Sequence, residues 1–356
     1  MPGHKGVPHL GCEPYDLTEI DGADVLSQAC GIIAESENNA TALFDTAHTY
    51  YSTEGSTLCI KAMLRLVTQN MPRTPRPRIL AARNAHKAFV YAAALLDLDV
   101  EWLYPQTPSH LCSCEITPTQ VAAALKNAEV LPQAVYLTSP DYLGHVADIA
   151  NIAKECDAYG VPLLVDNAHG AYLQFLKPSQ HPIALGAAMC CDSAHKTLPA
   201  LTGGAYLHVS KKAPSAYLNA ARDAMALFAS TSPSYLILQS LDLCNRYLAN
   251  DYQKELCELT SKMTLLRKAL RQQGIAVIDS EPLKLVLHAA AFGYTGDELA
   301  VYLRERQMEC EFSDAEYLVL MLTPQNSDDD LQRLSDALFA LPLRQPLPKA
   351  AQIHPK

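Results

Sequence analysis

VPLLVDNAHG, residues 161–170, decides how the rest of the chain is read. Five apolar residues run directly into Asp166, the pattern of a short strand buried on both faces that ends in a carboxylate. Strands of this kind belong to parallel sheets covered by helices. The same pattern recurs outward from it. HTYYS (48–52), Arg78–Ala82, Val100–Tyr104 and Ala134–Thr138 read as strands before it, and Ala188–Cys191 and Ala205–Val209 after it. Helical stretches alternate with them: Ser56–Gln69, His86–Leu96, Thr117–Asn127 with Thr117 as N-cap and Pro118 in the first turn, and Val146–Tyr159 ended by Gly160. The alternation predicts an α/β fold with a mostly parallel central sheet and helices on both faces.

After Pro214 the character changes. Pro233–Gln273 reads as one long helix, with apolar spacing through Leu236, Leu241, Leu243 and Leu248, stopped by Gly274. Ile275–Ile278, Leu283–His288 and Leu318–Leu322 then read as strands, and Thr295–Gln307 and Asp328–Leu341 as helices, which makes a small C-terminal α+β domain. The expected organisation is a segment 1–49 contributing to a site entrance, a major domain 50–245, a small domain 246–341 and a Pro-rich tail 342–356. MPRTPRPR (71–78) reads as a basic loop.

Composition narrows the function. The chain has 356 residues, 28 Lys and Arg against 38 Asp and Glu, and a net charge of −10. That balance argues against a phosphate-backbone-binding surface and suits a small cationic substrate better. Eleven cysteines are scattered without paired CxxC spacing, which reads as reduced thiols with no metal site. The N-terminal MPGHKGVPHLGCEPYD has no apolar signal-type run, and the stretch Phe89–Leu96 falls far short of the ~20 residues that span a bilayer. The expectation is a soluble, cytoplasmic protein.

Ligands of open α/β sheets gather at the carboxyl ends of the strands. Four such ends carry polar clusters here: Glu54-Gly55-Ser56-Thr57, Arg83-Asn84-Ala85-His86-Lys87, Asp166-Asn167-Ala168-His169-Gly170 and Asp192-Ser193-Ala194-His195-Lys196-Thr197. Gly55, Ser56 and Thr57 open a helix and offer amides, hydroxyls and a dipole end to an anion, or serve as an ordinary cap. Asp166 needs a positive or N–H partner at its semi-buried strand end, whether structural or chemical. Lys196 is either a solvated surface charge or an amine able to attack a carbonyl. His86 is either a stacking ring or a cap. Together these are the parts of a pyridoxal-phosphate site: a phosphate cradle, a stacking ring, a carboxylate for the ring nitrogen and a Schiff-base lysine.

Their order resembles that of the fold-type I pyridoxal-phosphate enzymes. More narrowly, the chain resembles the ornithine/lysine/arginine decarboxylase family, in the shorter form common in Gram-positive bacteria. The resemblance is carried by PGHKG (2–6), DLTEIDGAD (16–24), TEGST (53–57), RNAHKA (83–88), VDNAHGAY (165–172), SAHKTLPALTGG (193–204), STSPSY (230–235) and PLKLVL (282–287), in family order. It implies pyridoxal 5'-phosphate as cofactor, with Lys196 holding it, Asp166 on the ring nitrogen and His86 stacked on the ring. It further implies phosphate contacts from Gly55, Ser56 and Thr57, helped by Ser193 and His195, and His169 beside the ring. Lys196 or His195 would return a proton to the substrate carbon. Ser230 would reach a neighbouring subunit's phosphate, which implies a homodimer with shared sites. The implied reaction is decarboxylation of lysine, arginine or ornithine to the amine, as in polyamine metabolism. Asp16, Glu19 and Asp24 are candidate partners for the distal substrate cation.

The sequence also departs from the family. Glu54 stands where the family has Asn and Ile60 where it has another Asn, and Glu54 is expected to turn outward, toward the dimer interface or a basic residue. Family members carry a further C-terminal domain past the point where this sequence stops, so a more open site entrance or altered activity is expected. Two other readings stay open: another fold-type I reaction, such as an aminotransferase or a cysteine-desulfurase-like lyase, and a catalytically weak regulatory homologue. Cys112 and Cys114, in a loop, lack the electropositive setting of a reactive thiol.

Overall fold

The computed structural model describes residues 1–69, 76–106 and 110–348. Residues 71–75 of the basic loop and 349–356 of the tail therefore lie outside the described residues. The chain forms two compact units. The first comprises 1–106, 114–139 and 147–251, and the second 110–113, 140–146 and 252–348 among the described residues.

The first unit contains, in chain order, α1 (Ile32–Phe44), β1 (His48–Ser52), α2 (Gly55–Thr68), β2 (Arg78–Ala82), α3 (Lys87–Leu95), β3 (Asp99–Leu103), α4 (Pro118–Asn127), β4 (Ala134–Thr138), α5 (Ile149–Ala158), β5 (Leu163–Asp166), β6 (Met189–Asp192), α6 (Ala194–Thr197), β7 (Ala205–Val209), α7 (Ser215–Ala226) and α8 (Tyr235–Ala249). Its sheet runs β1-β7-β6-β5-β4-β2-β3. Strands β2 to β6 are parallel to one another, and β7 lies antiparallel between β6 and β1. The mostly parallel sheet expected from the sequence is thus present. Because β7 reverses direction, the carboxyl end of β1 reaches the same edge as the ends of β5 and β6.

Side-chain alternation along each strand feeds two cores. Ile79, Tyr136, Leu164, Cys191 and Leu207 face the layer of α2, α3 and α7. Leu80, Val135, Val165 and Cys190 face the layer of α4 and α5. Helix α2 is anchored deeply: Cys59, Ile60, Ala62, Met63 and Leu64 have no exposed surface. Ile60, one of the family departures, is therefore a core residue. Helix α4 starts with the expected cap, Thr117 accepting from Gln120 N and Gln120 returning to Thr117 N.

The long helix expected over 233–273 is two helices. Helix α8 ends at Ala249, and the next begins at Tyr252. Asn250 leaves the helical region at φ −111°, ψ −84°, while its side-chain amide donates to Arg246 O at 2.6 Å. The apolar spacing continues across the break, but Asn and Asp compete with helical hydrogen bonds through their side chains. Helices α1 and α7 were not expected from the sequence.

The second unit holds α9 (Tyr252–Gln272), β8 (Val277–Ile278), β9 (Lys284–His288), α10 (Gly296–Arg304), β10 (Phe312–Ser313), β11 (Tyr317–Met321) and α11 (Asp328–Phe339). Its sheet is antiparallel in the order β10-β11-β9-β8. Leu143, Val286 and Val319 form a core in it. Among the described residues no helix is long and apolar enough to cross a membrane.

Candidate active site

All of the predicted site residues fall in the first unit: most lie just past the carboxyl ends of β1, β2, β5 and β6, and Ser230 lies between α7 and α8. Asp166 is the last residue of β5 and is 2% exposed. Its carboxylate accepts from Ala168 N at 3.2 Å, the Tyr136 hydroxyl at 3.3 Å and the Cys191 thiol at 3.7 Å. These bonds are long for a buried anion. Burial pushes the Asp166 carboxyl up, and the opposing charges of His86 and Lys196 do not cancel that rise. The carboxylate is thus short of a full positive partner.

Lys196 lies in the single turn of α6, four residues past the end of β6. Its Nζ is 3.0 Å from His169 Nε2. An ammonium only donates, so His169 Nε2 accepts. His169 is itself buried, three residues beyond Asp166. His195 is held by one carbonyl, with its backbone N at 3.2 Å and its Nδ1 at 3.0 Å from Gly204 O. A carbonyl only accepts, so Nδ1 carries the proton.

The expected anion cradle lies where β1 passes into α2. Gly55 adopts φ +70°, and a Cβ built there meets nothing within 4 Å, so the space before the helix is open. Its N–H is taken by Gly203 O at 2.8 Å. Gly203, at φ +98°, allows that approach, since a Cβ there would lie 2.6 Å from Thr53 O. Ser193 donates to the Ser56 hydroxyl at 2.9 Å, which brings the lysine turn and the phosphate loop together. Ser56 and Thr57 lie in the first turn of a 14-residue helix, whose leading amides have no intrahelical partner.

His86 is the N-cap of α3, with Nδ1 accepting from Ala88 N at 3.2 Å. Desolvation of its inner side lowers its pKa, Asp166 pulls the other way, and Lys196 and Lys87 lower it further. Glu54 is exposed, and its Oε1 accepts from Ser230 N at 2.6 Å. The partner is a backbone amide and not a basic residue, one of the two destinations expected for it. Ser230 is exposed, and its hydroxyl accepts from Ser232 N at 3.1 Å.

The acidic N-terminal segment makes its own internal contacts. Asp24 accepts from five backbone amides, those of Val25, Cys30, Gly31, Ile33 and Ala34, and so caps α1 from a distance. Burial is the largest single influence and raises its carboxyl, but the backbone amides together outweigh it and hold it at about 2. Asp16 meets His4 at 3.2 Å, and Glu19 takes the Thr18 hydroxyl at 2.8 Å. Two groups that the sequence reading passed over touch Asp166 directly. Tyr136 and Cys191 sit in apolar strands, and their only signal was a polar tip on an inward-facing position.

A seven-stranded, mostly parallel sheet with this edge is the fold of the fold-type I pyridoxal-phosphate enzymes. The lysine decarboxylase LdcF of Francisella novicida shares it with a TM-score of 0.80 at 17% identity, over 95% of this chain and 57% of that one. The chain belongs to the Orn/Lys/Arg decarboxylase family, whose major-domain profile matches residues 14–287. It is 32% identical over 325 residues to the uncharacterized protein YaaO of Bacillus subtilis, covering 86% of this chain and 65% of that protein. It is 28% identical over 367 residues to the arginine decarboxylase of the same organism, covering 95% and 72%.

Proposed function

We propose that the chain decarboxylates a basic amino acid, arginine, lysine or ornithine, with pyridoxal 5'-phosphate as cofactor. The observation that carries this reading is one sheet edge that sets a buried, under-partnered Asp166 within the electrostatic reach of Lys196 and His86, beside an open helix N-terminus. The residues fit the cofactor. Ser56, Thr57 and Ser193 offer donors to its phosphate, while Gly55, expected to join them, has its one N–H committed to Gly203 O; Asp166 offers a carboxylate to the ring nitrogen, His86 a ring and Lys196 an amine. The chemistry that pyridoxal phosphate supplies when bound is withdrawal of electrons from the bond between Cα and the carboxylate.

The chain's own part is orientation and proton handling. Asp166 stabilises positive charge opposite its carboxylate, favoured because burial leaves it no water to compete. His169 keeps the Lys196 amine directed inward through their 3.0 Å contact. Lys196, or His195 through its free Nε2, returns a proton to the substrate carbon. We read the assembly as a cytoplasmic homodimer with shared sites, Ser230 reaching the partner's phosphate. The test is to load the purified chain with pyridoxal phosphate and offer arginine, lysine and ornithine separately, measuring CO2 release. Release from one of them supports the reading. No cofactor band and no CO2 from any of the three refutes it.

A further inference from the structure

On the face of the sheet opposite Asp166 lies a buried polar cluster that the proposed chemistry does not use. Asp192 ends β6 with no exposed surface. Its Oδ1 accepts from Asn167 Nδ2 at 2.6 Å, and its Oδ2 from His181 Nε2 at 3.0 Å and His208 Nε2 at 3.1 Å. His208 Nδ1 meets the Thr49 hydroxyl at 2.9 Å, and Thr49 meets Thr46 at 2.9 Å. Both imidazoles therefore carry their proton on Nε2. The cluster reaches from the end of β5 across β6 and β7 to β1.

The location gives it a role. The β5–β6 ladder ends where Asn167 N donates to Cys191 O at 2.9 Å. The Asn167–Asp192 side-chain bond is the next tie between the two strand ends. Asn167 follows Asp166 directly, and Asp192 precedes Ser193 and the Lys196 turn. We infer that Asp192 is a positioning residue, whose bond to Asn167 holds Asp166 and the Lys196 turn in register from behind the sheet. This rests on the reading of that edge as the pyridoxal-phosphate site. The imidazoles of His181 and His208 fix the carboxylate so that its other oxygen points at Asn167. The Asn167 amide then has one orientation, since turning it over would set Oδ1 against a carboxylate.

The bond has a direction, and that makes it testable. Asn167→Asp sets two carboxylates face to face. Asp192→Asn faces amide N–H groups to one another, which Asn167 relieves by turning over and leaving a donor unpaired. The double exchange restores a carboxylate–amide bond running the other way, and Asn at 192 still offers Oδ1 to both imidazoles. Pyridoxal-phosphate affinity by absorbance titration and the visible circular dichroism of the bound cofactor are read for the four proteins. Asn167→Asp is expected to weaken binding by about a hundredfold and reduce the dichroism, and the double variant to return within about tenfold of the parent. A well-folded double variant no better than Asn167→Asp overturns the inference. So does an Asn167→Asp protein that melts earlier yet binds and orients the cofactor as the parent does.

Two further readouts need no cofactor. Slowly exchanging imidazole N–H signals from His181 and His208 in the unloaded chain support the network, and their absence overturns it. His181 Nε2, Cys190 Sγ and an Asp192 oxygen also lie within 4.8 Å of one another. Stoichiometric zinc in the purified protein would therefore overturn the hydrogen-bonded arrangement. If the parent binds no pyridoxal phosphate, the proposed function falls, while the imidazole signals still judge the network.

Discussion

Glu54 puts a carboxylate immediately before the anion cradle, and replacing it by Gln measures what that charge costs. A carboxylate facing a phosphate at ~5 Å, with an effective dielectric of ~20, would oppose each unit of phosphate charge by about 3 kcal/mol, more than a hundredfold in affinity. The structure places it otherwise. Glu54 is exposed, and its Oε1 is spent on the amide of Ser230 at 2.6 Å. At an exposed position, screened by water and salt, the same repulsion falls below about 1 kcal/mol. Gln keeps an oxygen for the Ser230 amide, so the change removes charge and little else. Titration of the unloaded chain with pyridoxal phosphate should therefore show Glu54→Gln binding within about tenfold of the parent, or about 1.4 kcal/mol. The gap should narrow further as salt is raised. A hundredfold tightening would show that the carboxylate does face the phosphate, and would strengthen the case for a catalytically weak homologue.

The other predictions follow from the same edge. Lys196→Ala should lose the cofactor absorbance band on dialysis, and borohydride should fix the cofactor covalently to the parent but not to the variant. Asp166→Asn should retain cofactor while losing several orders of magnitude in decarboxylation rate, since a neutral partner no longer holds the ring nitrogen protonated. Because the Asp166 carboxyl is pushed up by burial, its ionisation costs the unloaded chain stability as pH rises above the ordinary carboxylate range. The unloaded Asp166→Asn protein should accordingly melt at a higher temperature than the parent at neutral pH, and an equal or lower melting temperature would refute this. Mixing Lys196→Ala chains with Ser230→Ala chains should partly restore activity if sites are shared, and no recovery despite proven exchange would argue against sharing. Asp24→Ala should destabilise the chain by about 1–2 kcal/mol above pH ~4 through loss of the α1 cap. That difference should vanish as pH falls toward 2, where the parent's own Asp24 becomes protonated.

What could be read in the sequence was whatever local pattern dictates. Strand ends announce themselves, because an apolar run stopping at Asp166 or Asp192 fixes both the strand and its polar exit. The cap at Thr117 is local too. The break at Asn250 was hidden because apolar spacing persists through it, and the deciding event is one side-chain bond to Arg246 O. The partner of Glu54 was hidden for the opposite reason, since Ser230 is 176 residues away along the chain. Tyr136 and Asn167 take their meaning from neighbouring strands, and the strand order that supplies those neighbours is not encoded in any short window.

Asp166 and Asp192 show what the three-dimensional arrangement adds. They are the same residue type, each the last residue of its strand, on adjacent strands and with almost no exposed surface. In sequence they are interchangeable candidates for a site. Yet three donors at 2.6 to 3.1 Å converge on Asp192, and the His181 and His208 imidazoles outweigh burial to hold its carboxyl far below the usual range. Asp166 has three weaker bonds at 3.2 to 3.7 Å, and there burial wins. A carboxylate already satisfied by its own fold has nothing left to offer a ligand, whereas one kept short of partners gains most from a cation placed against it. The difference arises from side-chain alternation, which turns Asp192 toward two histidines on one face of the sheet and Asp166 toward Lys196 and His86 on the other. On that ground we propose Asp166 for the chemistry and Asp192 for the frame that holds it.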